Sequence, residues 1–97
     1  MRVDWDEAKR TRNLERQGLD FRDAWHVFSL PILTALDDRK DYGETRWIGV
    51  GFLDPIVVVI AYTQPADDII RIISMRKALT HEREQYEQHL RNELGPA

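Results

Sequence analysis

Between positions 71 and 83 the chain carries Arg71, Arg76, Lys77 and Arg83 against a single acid, Glu82, in a protein whose formal net charge is −3. Strand alternation puts Ser74 and Arg76 on one face, and helical spacing puts Glu82 and Tyr86 one turn apart after a short connection. These side chains can therefore converge at a strand–helix corner. Phosphodiester cleavage of RNA without a metal needs such a set. The 2′-hydroxyl must lose a proton, the pentavalent phosphate must be neutralised, and the 5′-oxygen must gain a proton. Arginines can hold a phosphate through two parallel N–H bonds while Glu82 accepts a proton. Tyr86 can orient the sugar, stack on a base or donate a proton, and spacing does not separate these roles. A purely structural account stands beside this one: Glu82 with Tyr86 as a helix-face hydrogen bond, Arg83 with Glu87 as an i,i+4 pair, and Arg71 with Asp68 as a surface bridge.

Other clusters point to less. The run Asp37-Asp38-Arg39-Lys40-Asp41-Tyr42-Gly43-Glu44 lacks the alternate-position ligand order of a calcium loop and reads as a solvated turn. His26, His81 and His89 share no zinc-binding spacing, so no metal and no cofactor is expected. His26 reads as a partly buried helix residue. His81, next to Glu82, is an outside candidate for acid–base work. The chain contains no cysteine, which excludes disulfides, thiol catalysis and thiolate metal sites.

The elements that must position the corner follow from patterning. Asp4 or Asp6 can cap a first helix running to about Gln17, with Gly18 at its left-handed end. Asp20 can cap a second helix, on which Phe21, Ala24, Trp25 and Phe28 form one apolar stripe closed by Pro31. The period then changes to two. Strands are expected over residues 32–36, 46–53, 56–63 and 69–76, with turns at Asp54-Pro55 and at residues 64–68. Residues 56–63 are almost uninterruptedly apolar and β-branched, the pattern of a central strand covered on both faces. On the last strand, Ile70, Ile72, Ser74 and Arg76 would share a face. Thr80 would cap a final helix packed through Tyr86, Leu90 and Leu94 and ended by Gly95-Pro96. The expected fold is α+β: two N-terminal helices, a three- to four-stranded antiparallel sheet and a C-terminal helix, with the helices largely on one side. The 97 residues suit a single domain around one core. With no apolar run of signal-peptide or membrane-spanning length, the chain reads as soluble and cytoplasmic.

The same residues resemble a known family. Trp5-Asp6-Glu7-Ala8-Lys9, Asn13, Gly18 and the Phe21…Ala24…Val27-Phe28 segment are similar to the N-terminal helices of the BrnT toxins. The stretch from Asp41 to Gly49 resembles that family's acidic turn entering a strand. Most specific is Ile70-Arg71-Ile72-Ile73-Ser74-Met75-Arg76-Lys77-Ala78 followed by Glu82-Arg83 and Tyr86. The resemblance implies a RelE-like ribonuclease fold and translation arrest through RNA cleavage. It also implies neutralisation by a BrnA-like antitoxin, whose ribbon-helix-helix part would bring operator DNA to the complex. It carries functional roles onto Arg71, Arg76, Lys77, Glu82, Arg83 and Tyr86. The chain departs from the family pattern at Gln17, where relatives usually have histidine, and at the neutral Gln64-Pro65-Ala66, where they often have an arginine. Those departures motivate the alternative of a toxin-fold module that binds and stabilises a DNA-binding antitoxin without robust catalysis.

Overall fold

The computed structural model describes residues 1–95. Its elements in chain order are strand β1 (Arg2–Trp5), helix α1 (Glu7–Gln17), a 3-10 turn (Phe21–Asp23) running into helix α2 (Ala24–Phe28), strands β2 (Leu33–Leu36), β3 (Trp47–Leu53), β4 (Ile56–Ala66) and β5 (Ile69–Lys77), and helix α3 (Thr80–Leu94). The sheet has five strands in the order β1-β5-β4-β3-β2. It is mixed rather than purely antiparallel, because β1 pairs parallel to β5 while every other neighbour is antiparallel. The additional strand occupies residues where a helix cap was one expectation. Asp6 is the cap, its carboxylate accepting from Lys9 N–H at 3.2 Å, and Asp4 belongs to β1. A four-residue edge strand whose partner lies more than sixty positions away has no local signature. Gly18 closes α1 at φ 70°, as the sequence predicts.

β4 is the central strand, and residues 58–63 are all buried, as its apolar run predicts. Val58, Ile60 and Tyr62 meet Phe21, Ala24 and Val27 in the main core, together with Ile70, Ile72 and Met75 from β5. β3 is read correctly too. Gly49 and Gly51 face this helical side, and a Cβ on Gly51 would stand 2.5 Å from Val27 Cγ1, so close packing of α2 on β3 requires glycine there. The 3-10 turn is tied to α1 by Arg10, whose guanidinium donates to both Asp20 oxygens at 2.9 and 3.1 Å. Trp25 and His26 lie outside the core, stacked on one another at the surface, because α2 is too short to bury a second face.

The helices do not share one side. α1 and α2 cover the Val58–Ile60–Tyr62 face. α3 lies on the other face, to which Glu82 is joined through Arg76. Of the expected α3 stripe, only Tyr86 is buried; Leu90 is half-buried and Leu94 is exposed. No described helix is long and apolar enough to cross a membrane.

Candidate active site

A one-residue bulge decides which β5 side chains face the site. Tyr62 pairs with Ile72 but Ala61 pairs with Ser74, so Ile73 is an extra residue and the alternation inverts there. Ile70 and Ile72 point to the core, as does Met75. Ser74 and Arg76 point to the α3 face with Ala61 and Val59. The single face expected for Ile70, Ile72, Ser74 and Arg76 is therefore split in two. Strand β1 ends opposite Ile72, which leaves β5 with a free edge beyond it. Asn13 of α1 fills that edge: its Oδ1 accepts from Met75 N–H at 3.0 Å and its Nδ2 donates to the Met75 carbonyl at 2.9 Å. An amide side chain thus replaces one residue of a missing strand and holds the bulge in place.

At the corner, Arg76 Nη1 and Nη2 donate to the two Glu82 carboxylate oxygens, each at 2.8 Å. Leu79 N–H donates to the same carboxylate at 2.8 Å, so Glu82 also satisfies the start of α3. The Arg76 guanidinium above all, and then that backbone N–H, hold the Glu82 carboxyl down at about 2 against the opposing effect of its burial. In the free protein Glu82 is therefore an anchor for Arg76 and a poor proton acceptor.

The facing wall is the loop between β2 and β3. Asp37, whose side chain is 1% exposed, accepts from Arg39 Nε at 2.8 Å and Nη2 at 2.9 Å, and Arg39 first, with Tyr42 contributing, holds it at about 2. The Asp37 N–H donates to the Arg46 carbonyl at 2.8 Å and closes the loop. Lys40 and Arg46 lie over the Tyr42 ring at 5.1 and 4.0 Å. The segment read as a solvated turn is thus built around a buried carboxylate. Arg39 itself remains 73% exposed and is near enough to Arg76 for the two charges to oppose each other. Ile48, Val59 and Ala61 line the cleft between these walls, which has a volume of about 340 Å³. Two guanidiniums, each anchored by its own carboxylate, border one open space. Arg39 was missed because nothing local in the sequence shows that its loop folds back over the sheet.

The remaining sequence candidates lie apart from this cleft or beneath its surface. Arg71 shares the sheet face but donates to both Asp4 oxygens at 2.9 and 3.3 Å, toward the opposite end of β5. Lys77 alternates onto the face opposite Arg76. Arg83 is exposed and 3.8 Å from Glu87, the i,i+4 pair of the structural account. Tyr86 is 1% exposed, and its hydroxyl donates to the Pro31 carbonyl at 2.7 Å. The structure brings Arg76, Glu82 and Ser74 together; Tyr86 supports the corner from within. His81 is exposed beside Glu82.

A family model described as the ribonuclease toxin BrnT of type II toxin-antitoxin systems matches residues 5–82. The chain belongs to the BrnT family. A crystal structure of the Brucella abortus ribonuclease toxin BrnT is similar to it at 27% identity and a TM-score of 0.64, covering 82% of this chain and 99% of that one. A search of curated proteins found no match. The BrnT match runs from the end of β1 to the first turn of α3, so it contains both arginine–carboxylate pairs of the cleft. Arg83 and Tyr86 lie just beyond it.

Proposed function

We propose that this BrnT-family toxin cleaves RNA without a metal, by attack of a ribose 2′-hydroxyl on the adjacent phosphate held between Arg76 and Arg39. The observation that carries this reading is the pair of anchored guanidiniums bordering one open cleft. Charge grows on the phosphate oxygens in the transition state, and fixed donors aimed at that charge are the largest single source of acceleration. Asp37 supplies the fixing for Arg39 through two hydrogen bonds, and Glu82 holds Arg76 at the mouth of the cleft through two more until a phosphate arrives.

Glu82 has a second role in this proposal. When the phosphate takes over the Arg76 fork, Glu82 loses the partner that lowers its proton affinity and becomes able to accept the 2′ proton. The 2′-oxygen bonds to phosphorus and the bond to the 5′-oxygen breaks. His81 returns a proton to that leaving oxygen, giving a 2′,3′-cyclic phosphate and a 5′-hydroxyl. Arg83, exposed on α3, meets a flanking phosphate, whereas Arg71 and Lys77 lie too far from the cleft or on the wrong face to do so, and Tyr86 positions α3. In the cell the protein acts in the cytoplasm on RNA. It is neutralised there by a BrnA-like antitoxin whose ribbon-helix-helix part binds operator DNA.

The test is cleavage of a single-stranded RNA by purified protein in excess EDTA, with the ends analysed chemically. We expect 5′-hydroxyl and cyclic-phosphate ends, and a fall in kcat/KM of roughly 100- to 1,000-fold for Arg76→Ala. Cleavage that requires added magnesium would remove the metal-independent mechanism. A second reading is favoured by one specific observation, the saturation of Glu82 by Arg76 and by the α3 N-terminus. If that pair never opens, the protein is a toxin-fold partner that stabilises its antitoxin. Folded wild-type protein would then bind antitoxin and leave RNA intact.

A further inference from the structure

Beyond the corner, helix α1 carries an exposed row of cations at spacings of three and four: Lys9, Arg12 and Arg16. Helical geometry puts them on one face over about 10 Å of helix, long enough to meet more than one phosphate. Among the described residues none of the three takes part in an ion pair, whereas Arg10, on another face of α1, is paired with both Glu7 and Asp20. Three uncompensated cations side by side stand out in a chain with 17 acids and 14 basic residues.

This row borders a second cleft, of about 300 Å³, which it shares with Gln17, Ile73 and Ser74. Ser74 also lines the cleft of Arg76 and Glu82, so the two depressions meet at that residue. The bulge at Ile73 makes the junction, because it turns Ser74 outward at the point where β1 has ended. A peptide strand could not extend the sheet through Met75 here, since Asn13 already occupies its N–H and C=O. The surface is therefore cationic, open and closed to strand addition at that position, which suits a polyanion backbone.

We propose that Lys9, Arg12 and Arg16 form a track for the phosphates of single-stranded RNA, leading over Ser74 into the Arg76–Glu82 cleft. This extends the ribonuclease reading and rests on it. The track binds the strand away from the reacting phosphate, so its loss weakens binding without changing the chemical step.

The experiment compares wild-type protein with the triple variant Lys9→Gln, Arg12→Gln, Arg16→Gln and with a control, Arg22→Gln, Arg91→Gln. All five positions are exposed, and glutamine is a good helix former. Binding is measured by fluorescence anisotropy on an RNA oligonucleotide made uncleavable by 2′-O-methylation, between 50 and 200 mM salt. Turnover is measured on the unmodified RNA.

Each phosphate neutralised on a single strand contributes about −0.7 to the slope of log K against log salt. The triple variant is therefore expected to lose about 2 from the slope magnitude and roughly 10- to 100-fold in affinity at 0.1 M salt. KM should rise with kcat within about twofold, and the control should keep the wild-type slope. An unchanged slope and KM in a folded triple variant overturns the track while leaving the ribonuclease reading intact. So does a variant that binds RNA normally but no longer binds the antitoxin, since the row would then serve the protein partner. If wild-type protein binds the uncleavable RNA with the expected slope yet cleaves nothing, the cleavage mechanism fails and the track stands.

Discussion

Glu82 carries two duties at the scale of single residues: it holds Arg76 and it receives the N–H of Leu79, the residue that caps α3. Both depend on its charge, and they lead to a definite pH dependence. Its carboxyl is held at about 2 by Arg76, below the ordinary glutamate value of about 4.3 in an unfolded chain. A lowered folded-state value means that the pair stabilises fully above the unfolded value and is lost as pH falls toward the folded one. The buried Asp37, held at about 2 by Arg39, acts in the same sense. Urea unfolding of wild type should therefore weaken steeply from about pH 5 down toward pH 2. Glu82→Gln should be about 1–2 kcal/mol less stable at pH 7 and flatter across that window. Equal slopes for the two proteins would show that Glu82 is not the titrating group. Tyr86→Phe tests a different role. It should cost about 1 kcal/mol through loss of the bond to Pro31, and turnover per folded molecule should stay close to wild type. A tyrosine acting on RNA would instead lose turnover while the protein remained folded.

Among the elements, the end of β5 depends on α1 through Asn13. Replacing Asn13 by Ala leaves the Met75 N–H and C=O without partners at a partly buried edge, and the expected destabilisation is about 1–3 kcal/mol. Hydrogen exchange should locate the effect. The Met75 amide is expected to exchange much faster in the variant, while the central β4 amides change only with global stability. Unaltered Met75 protection would mean that the bulge holds itself. Such loosening also matters for chemistry, because the inversion at Ile73 is what presents Ser74 and Arg76 to the cleft. Cleavage should therefore fall in Asn13→Ala although Asn13 touches neither arginine–carboxylate pair.

The whole molecule has a formal charge of −3, which by itself would repel RNA. Its cations are unevenly placed, with Lys9, Arg12 and Arg16 along one cleft and Arg39 and Arg76 around the adjoining one. Locally focused charge steers association even when the total has the opposite sign. The RNA association rate, followed by stopped-flow fluorescence, is expected to fall several-fold between 50 and 200 mM salt. A rate that rises with salt would show that the net charge dominates. The antitoxin enters at this scale too. A partner that binds only the folded toxin raises its melting temperature in a concentration-dependent way.

Much of this protein was legible locally. The first helix with its glycine end, a second helical segment entered from Asp20, the apolar β4 and the two-faced β3 all follow from periods of 3.6 and 2 and from residues with fixed backbone preferences, while the 3-10 geometry of that segment's first turn does not. Arg76 and Glu82 were also found from the sequence, because one strand end and one helix start joined by a short connection must lie close together. Three features were decided only by tertiary structure. Strand β1 forms because β5 offers it an edge, and no four-residue segment specifies a parallel partner so far along the chain. The Ile73 bulge reverses an alternation that the sequence shows as continuous, since the extra residue is defined only by the register of β4 opposite it. Arg39 becomes part of the corner first seen around Arg76 because its loop folds over the sheet and buries Asp37. Burial is a property of neighbours distant in sequence, and local spacing carries no record of them.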